Sequence, residues 1–372
     1  MLIGLIKERK DPPDTRVPLT PTQCQHILKK YPQIKIKVES SDTRCYQDEE
    51  YSSLGIEVVQ NLESCDVLLG VKEVPIESLY VGKTYFFFSH TKKMQPYNQP
   101  LMKALIKKKI RMIDYECLTY NDGQRILGFG FFAGVVGAHN GFLTYGKKHN
   151  LFDLPKASDI KDYAKLLTYY HHIKLPNIKI VVTGSGKVAS GILEILYHLG
   201  IQSIEPGDFV SKEYDYPVYT HLKGGYLYQN KVTKSYIREE FHLHPEKYES
   251  LFVEYLPHTD LLMNGIYWDK KIPRLFENQD IQNPDFRISV IADITCDPFG
   301  SIPINLGAST IANPVYGIEK ASFQKVSPFQ NSQNVIDVMA VDNLPNELPR
   351  DASQYFGANF EKSILESLID GY

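Results

Sequence analysis

The chain has 372 residues, 43% of them hydrophobic and 23% charged, with a formal net charge of −3. That is enough for two cores of ordinary globular composition, and the slight negative balance argues against nucleic acid as the main partner. No apolar run approaches a membrane span, so no membrane partner is expected, and Met1–Glu8 reads as a first strand, not a signal peptide. Five scattered cysteines without CxxC spacing fit a reducing compartment without structural zinc, and the expected location is cytoplasmic. Leu2–Ile6 is predicted as a strand and Thr20–Tyr31 as a helix, with Thr20 as N-cap and Pro21 first inside it. Strands follow at 34–38, 67–71, 84–89 and 111–115, with a helix over 101–110 before the last. This alternation predicts a parallel, doubly wound sheet. It contains no glycine fingerprint, so the substrate is expected there. Residues 129–150 are predicted as a long helix crossing between domains. A second series of strands and helices starts at Ile178, with strands near 202–204, 261–264 and 288–292. Tyr214–Asn230, rich in Tyr and Gly, reads as a hairpin or irregular insertion. The pattern changes after Tyr316, and 353–369 reads as a helix returning to the first domain.

The most informative stretch is Val181-Val182-Thr183-Gly184-Ser185-Gly186-Lys187-Val188-Ala189-Ser190-Gly191. A buried strand precedes it. Ile192, Ile195, Leu196 and Leu199 then recur at helical spacing, and Gly200 follows as a C-cap. Gly184 permits the tight turn, Gly186 lets a pyrophosphate approach, and Ala189 lets helix and strand pack closely. Gly184, Ser185, Gly186, Lys187 and Val188 are therefore expected to hold a dinucleotide, NAD or NADP. Glu205, about 20 residues further on, would accept a hydrogen bond from a free ribose 2′-hydroxyl, which favours NAD. The expected fold is α/β: two Rossmann-like doubly wound domains with an active-site cleft between them. The expected substrate domain is discontinuous, 1–125 plus 320–372, and the dinucleotide-binding domain spans 126–319.

Ligands bind outside the carboxyl ends of the strands in such sheets. Lys72-Glu73, Ser89-His90-Thr91-Lys92-Lys93 and Glu116 follow three strands of the first series, and a shared active site is expected there. Arg16, in the loop after the first strand, suits a bidentate grip on a carboxylate. Asp293, ending a strand of the second series, would border the nicotinamide. His171-His172 and His242/His244 lack the carboxylate or cysteine that would complete a zinc site, so no metal is expected. Neither a GxSxG elbow nor a GxxxxGK[ST] loop occurs.

Eight motifs together resemble lysine–ketoglutarate reductase, the N-terminal half of aminoadipic semialdehyde synthase. They also resemble lysine-forming saccharopine dehydrogenase, and both lie within the alanine dehydrogenase and transhydrogenase α-subunit superfamily. They are Arg16-Val17-Pro18-Leu19-Thr20-Pro21, Val71-Lys72-Glu73-Val74-Pro75, Phe87–Gln95 and Ile113-Asp114-Tyr115-Glu116. Further on come Phe129–Gly134, Asn264-Gly265-Ile266-Tyr267-Trp268, Ala292–Asp297 and Val341–Pro345. The resemblance implies the reaction of L-lysine, 2-oxoglutarate and NAD(P)H to saccharopine, and the reverse. It implies Lys72 and His90 as the acid–base pair and Arg16 and Lys93 as carboxylate binders. Glu73, Glu116 and Arg125 would surround them, with Lys10 a looser match, and Ile266 and Tyr267 would touch the cofactor. The chemistry suits those residues: condensation and reduction need several proton transfers, and a substrate pair with three carboxylates needs cations. The reductase branch usually prefers NADPH, and Lys212 lies near Glu205, so the cofactor choice stays open. The glutamate-forming half of the bifunctional enzyme is not expected. Rival readings are an alanine dehydrogenase-like enzyme and a non-catalytic nucleotide-binding module. Oligomeric state and direction of flux are not legible.

Overall fold

The computed structural model describes residues 1–93, 96–121 and 123–371, with Lys93 described by its backbone alone. The chain divides into two compact units, Met1–Phe129 with Pro349–Tyr372, and Gly130–Leu348.

The first unit is built on six parallel strands: β1 (Leu2–Leu5), β2 (Lys35–Glu39), β3 (Glu57–Val59), β4 (Val67–Leu69), β5 (Thr84–Phe87) and β6 (Arg111–Asp114). Their order is β3-β2-β1-β4-β5-β6. β4 and β5 are buried along their whole length, which is why they read as continuous apolar runs instead of alternating ones. Helix α1 (Pro21–Lys30) starts at a capping box. The Gln23 N–H donates to the Thr20 hydroxyl at 3.3 Å, and the Thr20 N–H donates to Gln23 Oε1 at 2.9 Å. Helices α2 (Asp48–Ser52) and α3 (Gln99–Lys107) complete the N-terminal run. Leu101 and Leu105 of α3 pack on Leu68, Tyr85 and Phe87. The C-terminal segment supplies Phe356, stacked 4.6 Å from Phe129, and Phe360, edge-on to Phe86. The strand order reverses between β1 and β4. Loops leaving these two strands therefore diverge, and the crevice between them is where such a sheet takes a ligand.

The second unit opens with α4 (Gly130–His149) and α5 (Tyr163–Tyr169), then β7 (Lys179–Thr183), α6 (Lys187–His198), β8 (Gln202–Ser203), α7 (Pro206–Ser211) and β9 (Val218–Leu222). A two-stranded antiparallel sheet, β10 (Tyr228–Asn230) with β11 (Tyr248–Ser250), flanks α8 (Arg238–Leu243). β12 (Leu261–Asn264), α9 (Asn278–Ile281), β13 (Val290–Asp293), β14 (Val315–Glu319), β15 (Lys325–Val326) and β16 (Val335–Met339) follow. The eight-stranded sheet runs β15-β14-β16-β13-β12-β7-β9-β8. α4, predicted to cross between domains, belongs to the second unit, where it lies against α6. A Cβ on Gly134 would sit 2.0 Å from the Val188 carbonyl, and one on Gly191 would sit 2.0 Å from the Phe131 carbonyl. Only reciprocal glycines allow backbones this close.

Two further differences follow from sheet pairing. Residues 320–348 belong with the second unit, because β16 pairs with β13 and β14 returns antiparallel along β16. The stretch read as a hairpin or irregular insertion contains β9, a full member of the main sheet. After Leu348 the chain returns through α10 (Pro349–Phe360) and, past a short π-helical stretch, α11 (Glu366–Asp370). Among the described residues no helix is long and apolar enough to cross a membrane.

Candidate active site

Three strand ends of the first unit bring their ionisable groups together. The loop after β1 folds back so that Glu8 accepts hydrogen bonds from the Val71 N–H at 2.7 Å and the Lys72 N–H at 2.9 Å. Burial pushes the Glu8 carboxyl up to about 7, although those two amides favour its ionised form. Lys72 is thus presented by a backbone fastened from below. Its neighbour Glu73 meets His90 Nδ1 at 2.6 Å and the Lys10 ammonium at 3.9 Å. Burial opposes ionisation of Glu73, but His90, Lys10 and Lys72 outweigh it and hold its pKa below the usual carboxylate value.

His90 has a φ of 53°, in the left-handed region that a residue with a Cβ adopts rarely. Its carbonyl accepts from Asn98 Nδ2 at 2.9 Å, which helps to hold the turn. Next to it, the Ser89 hydroxyl and amide both donate to Asp114 Oδ2. Asp114 Oδ1 accepts from the Glu116 N–H at 2.8 Å, so the ends of β5 and β6 are tied. Glu116 is buried and pairs through Oε1 with the exposed Arg125. Its Oε2 is buried with no hydrogen-bond partner among the described residues.

Arg16 is 3% exposed, and its guanidinium lies 4.1 Å over the Phe129 ring. Nε donates to Asp14 Oδ1 at 2.9 Å and Nη2 to Oδ2 at 2.5 Å. The fork expected to hold a substrate carboxylate thus holds Asp14. Burial opposes ionisation of Asp14, yet Arg16, with a smaller contribution from Lys72, keeps it ionised with a pKa of about 2. Lys72 therefore acts electrostatically on both Asp14 and Glu73, which places Lys72, Glu73, His90, Lys10, Asp14 and Arg16 in one cluster. The Lys93 side chain, expected to bind a carboxylate, lies outside the described residues.

The second unit carries the glycine turn where the sequence puts it. Gly184 has a φ of 105°, and a Cβ there would sit 2.5 Å from the Gly265 carbonyl. At Gly186 a Cβ would meet nothing within 4 Å. Gly186 is the N-cap of α6 and makes no side-chain cap hydrogen bond among the described residues. Ser185 is exposed, and burial lowers the pKa of the half-buried Lys187. This cradle fits a pyrophosphate. Ile266 is buried and Tyr267 is 71% exposed, both in the loop after β12. Asp293 is 1% exposed and turned inward, with Asn264 and Asn305 donating to its two oxygens at 2.8 and 2.7 Å. Burial pushes its pKa up to about 6 against those two hydrogen bonds. Asn264 also accepts from the Thr183 hydroxyl at 2.7 Å, so the ends of β7, β12 and β13 are joined by side chains. Glu205 stands apart: it is exposed at the end of β8, one strand beyond β9.

Residues 4–136 match the family described as alanine dehydrogenase/PNT, N-terminal domain. Alpha-aminoadipic semialdehyde synthase, mitochondrial, of Mus musculus is 30% identical over 408 residues, covering 99% of this chain and 44% of the mouse protein. The lysine-forming saccharopine dehydrogenase [NAD(+)] of Candida glabrata is 25% identical, covering 95% of this chain and 88% of its own. The chain is related along nearly its whole length to semialdehyde synthases and saccharopine dehydrogenases. It spans less than half the length of the synthases, 37% for the protein of Arabidopsis thaliana. An L-alanine dehydrogenase structure superposes with a TM-score of 0.64 at 16% identity, covering 100% of this chain and 92% of that one, which establishes the shared fold.

Sequence reasoning missed Glu8, Asp14 and His221. Glu8 follows β1, so the rule that flagged Lys72 and Glu116 reaches it as well. Asp14 pairs with Arg16 inside one irregular loop, where no periodicity signals contact. His221 lies within the overlooked β9, its Nε2 2.6 Å from the Gly184 carbonyl, a contact that depends on sheet order.

Proposed function

We propose that the chain is a nicotinamide-dinucleotide-dependent oxidoreductase that reduces the imine of L-lysine and 2-oxoglutarate to saccharopine and catalyses the reverse reaction. The observation that carries this reading is the cluster of Lys72, Glu73 and His90 on adjoining strand ends of the first unit, in a chain whose second unit carries an uncapped glycine turn. The named relatives support the substrate class, and the scattered free cysteines support a reducing compartment, which we take to be the cytoplasm.

Gly184, Ser185, Gly186, Lys187 and Val188 would hold the dinucleotide, with Ile266, Tyr267 and the end of β13 at Asp293 bordering its nicotinamide, and the bound group supplies or accepts hydride. The chain's own residues manage protons and charge. The substrate ε-amine must lose a proton before it attacks the ketone, and the carbinolamine hydroxyl must gain one to leave as water. We assign these transfers to Lys72. His90 handles the proton of the secondary amine, with Glu73 orienting its ring through Nδ1, which leaves Nε2 as the exchanging atom. Lys10 and Lys93 supply positive charge for the substrate carboxylates, with Glu116 and Arg125 at the border, while Arg16, its guanidinium taken by Asp14, steadies the loop beside them. No covalent bond to Lys72 is required, because substrate lysine brings its own amine.

The test is absorbance at 340 nm with purified protein. Oxidation of NADH or NADPH that requires both lysine and 2-oxoglutarate supports the proposal. Turnover with pyruvate and ammonia but not with lysine would replace it with an alanine dehydrogenase-like activity.

A further inference from the structure

The residue that reads the ribose 2′ position of a dinucleotide stands at the end of the strand next to the one bearing the glycine turn. Sequence spacing assigns that place to Glu205, because β8 is the next strand in the chain. Sheet order assigns it elsewhere. The neighbour of β7 on that side is β9, and β8 is displaced to the sheet edge. β7 and β9 pair in parallel from Lys179↔Val218 to Thr183↔Leu222. One step further along that register, Lys223 stands beside Gly184.

Two contacts fasten this strand end to the phosphate-binding turn. The Gly184 N–H donates to the Leu222 carbonyl at 3.2 Å. His221 Nε2 lies 2.6 Å from the Gly184 carbonyl, so its N–H donates there. Burial lowers the pKa of His221, and the nearby Lys223 ammonium lowers it further. Lys223 itself is exposed. From His221 to Gly225 the chain reads His-Leu-Lys-Gly-Gly, with no carboxylate. Glu205 ends a strand that pairs with β9 alone, about 10 Å from β7 at two interstrand spacings. Lys212 lies beyond α7, its ammonium 2.9 Å from Asp208.

We propose that Lys223 reads the adenosine ribose and selects a 2′-phosphate, so that the chain takes NADPH in preference to NADH. A free 2′-hydroxyl is selected by a carboxylate that accepts its proton, whereas a 2′-phosphate is selected by a cation. The end of β9 offers the cation. His221 is the positioning residue, holding the end of β9 against the turn. The inference rests on the dinucleotide reading of Gly184–Val188.

Calorimetric titration of the full chain, without substrates, with NADPH, NADH, 2′,5′-ADP and 5′-AMP separates the two ideas. NADPH and 2′,5′-ADP are expected to bind at least tenfold more tightly than their counterparts. Lys223→Ala should weaken both 2′-phosphate ligands about tenfold and leave NADH within about twofold. Lys223→Asp should reverse the preference. NADH binding as tight as NADPH, or a preference that Glu205→Gln moves and Lys223→Ala does not, would overturn the inference and leave the dinucleotide site standing. Binding of none of the four ligands would remove the site and the inference together.

Discussion

Replacing Gly191 by alanine tests the helix crossing beneath the glycine turn. The new methyl would lie 2.0 Å from the Phe131 carbonyl oxygen and 2.8 Å from the Val135 nitrogen, both backbone atoms of α4. Carbon needs roughly 3.5 Å from a neighbour, so the helices must separate by about 1 Å or more. No rotamer change relieves a contact with backbone. In an exposed helix the same substitution stabilises by about 1 kcal/mol. Here overpacking costs about 1–3 kcal/mol beyond that, because the whole seam from Ala189 to Ile195 moves with it. A net loss of about 2 kcal/mol corresponds to roughly 4–8 °C in Tm for a unit of this size. Differential scanning calorimetry would show it on the transition of the second unit. Ser190→Ala, exposed and one residue away, is the control and should stay within about 0.5 kcal/mol. Dinucleotide affinity should fall in Gly191→Ala as well, since α6 carries the amides of the turn. A rise in Tm would refute the crossing geometry.

Lys72→Met and His90→Phe should each lower kcat by about 10²–10⁴ while leaving dinucleotide affinity within about twofold; equal losses of both would remove their assigned roles. Asp14, with a pKa of about 2, contributes about 2 kcal/mol that is present above pH ~4 and lost as pH falls toward 2. Asp14→Asn should abolish that acid dependence in urea unfolding and, by leaving Arg16 buried without its anion, cost about 3–5 kcal/mol at pH 7. Glu347, 3% exposed beside Asn140, is pushed up to about 7 by burial. Its raised pKa favours folding below pH ~4.5, and that contribution, on the order of 3 kcal/mol, is lost as pH rises to about 7. Glu347→Gln should flatten the stability profile over that window, and an unchanged slope would show that Glu347 does not titrate there.

The parallel strands and the glycine turn were legible because burial on both faces writes continuous apolar runs and turns write glycine. The cluster at Lys72, Glu73 and His90 was legible for a related reason: ligand chemistry in an open sheet collects at strand ends. Sheet order was not. Val218–Leu222 is a short strand inside a Tyr- and Gly-rich stretch, and nothing local reveals that it slots between β7 and β8. The spacing that pointed to Glu205 carries no information about that order, which leaves β9 between β7 and β8. The 320–348 error has the same origin. β14 returns antiparallel without a helix, which breaks the alternation that marked the domain. The Asp14 partner of Arg16 was hidden because a loop contact two residues apart leaves no periodic trace.

The Val17 amide donates at 2.9 Å to the hydroxyl of Ser353, so the loop that carries Arg16 is braced by a residue made long after it. At about 5–20 residues per second, a ribosome needs roughly 10–40 s to make the intervening second unit. During that interval the second unit is continuous and free to fold, while the first lacks α10 and the face that Phe356 covers. Assembly order is thereby built into the chain: the nucleotide-type unit can mature during synthesis, and the loop holding Arg16 gains its brace only after that unit has been made. A nascent chain stalled before Ser353 should leave the sequences around Arg16 and Phe129 open to proteases and chaperones.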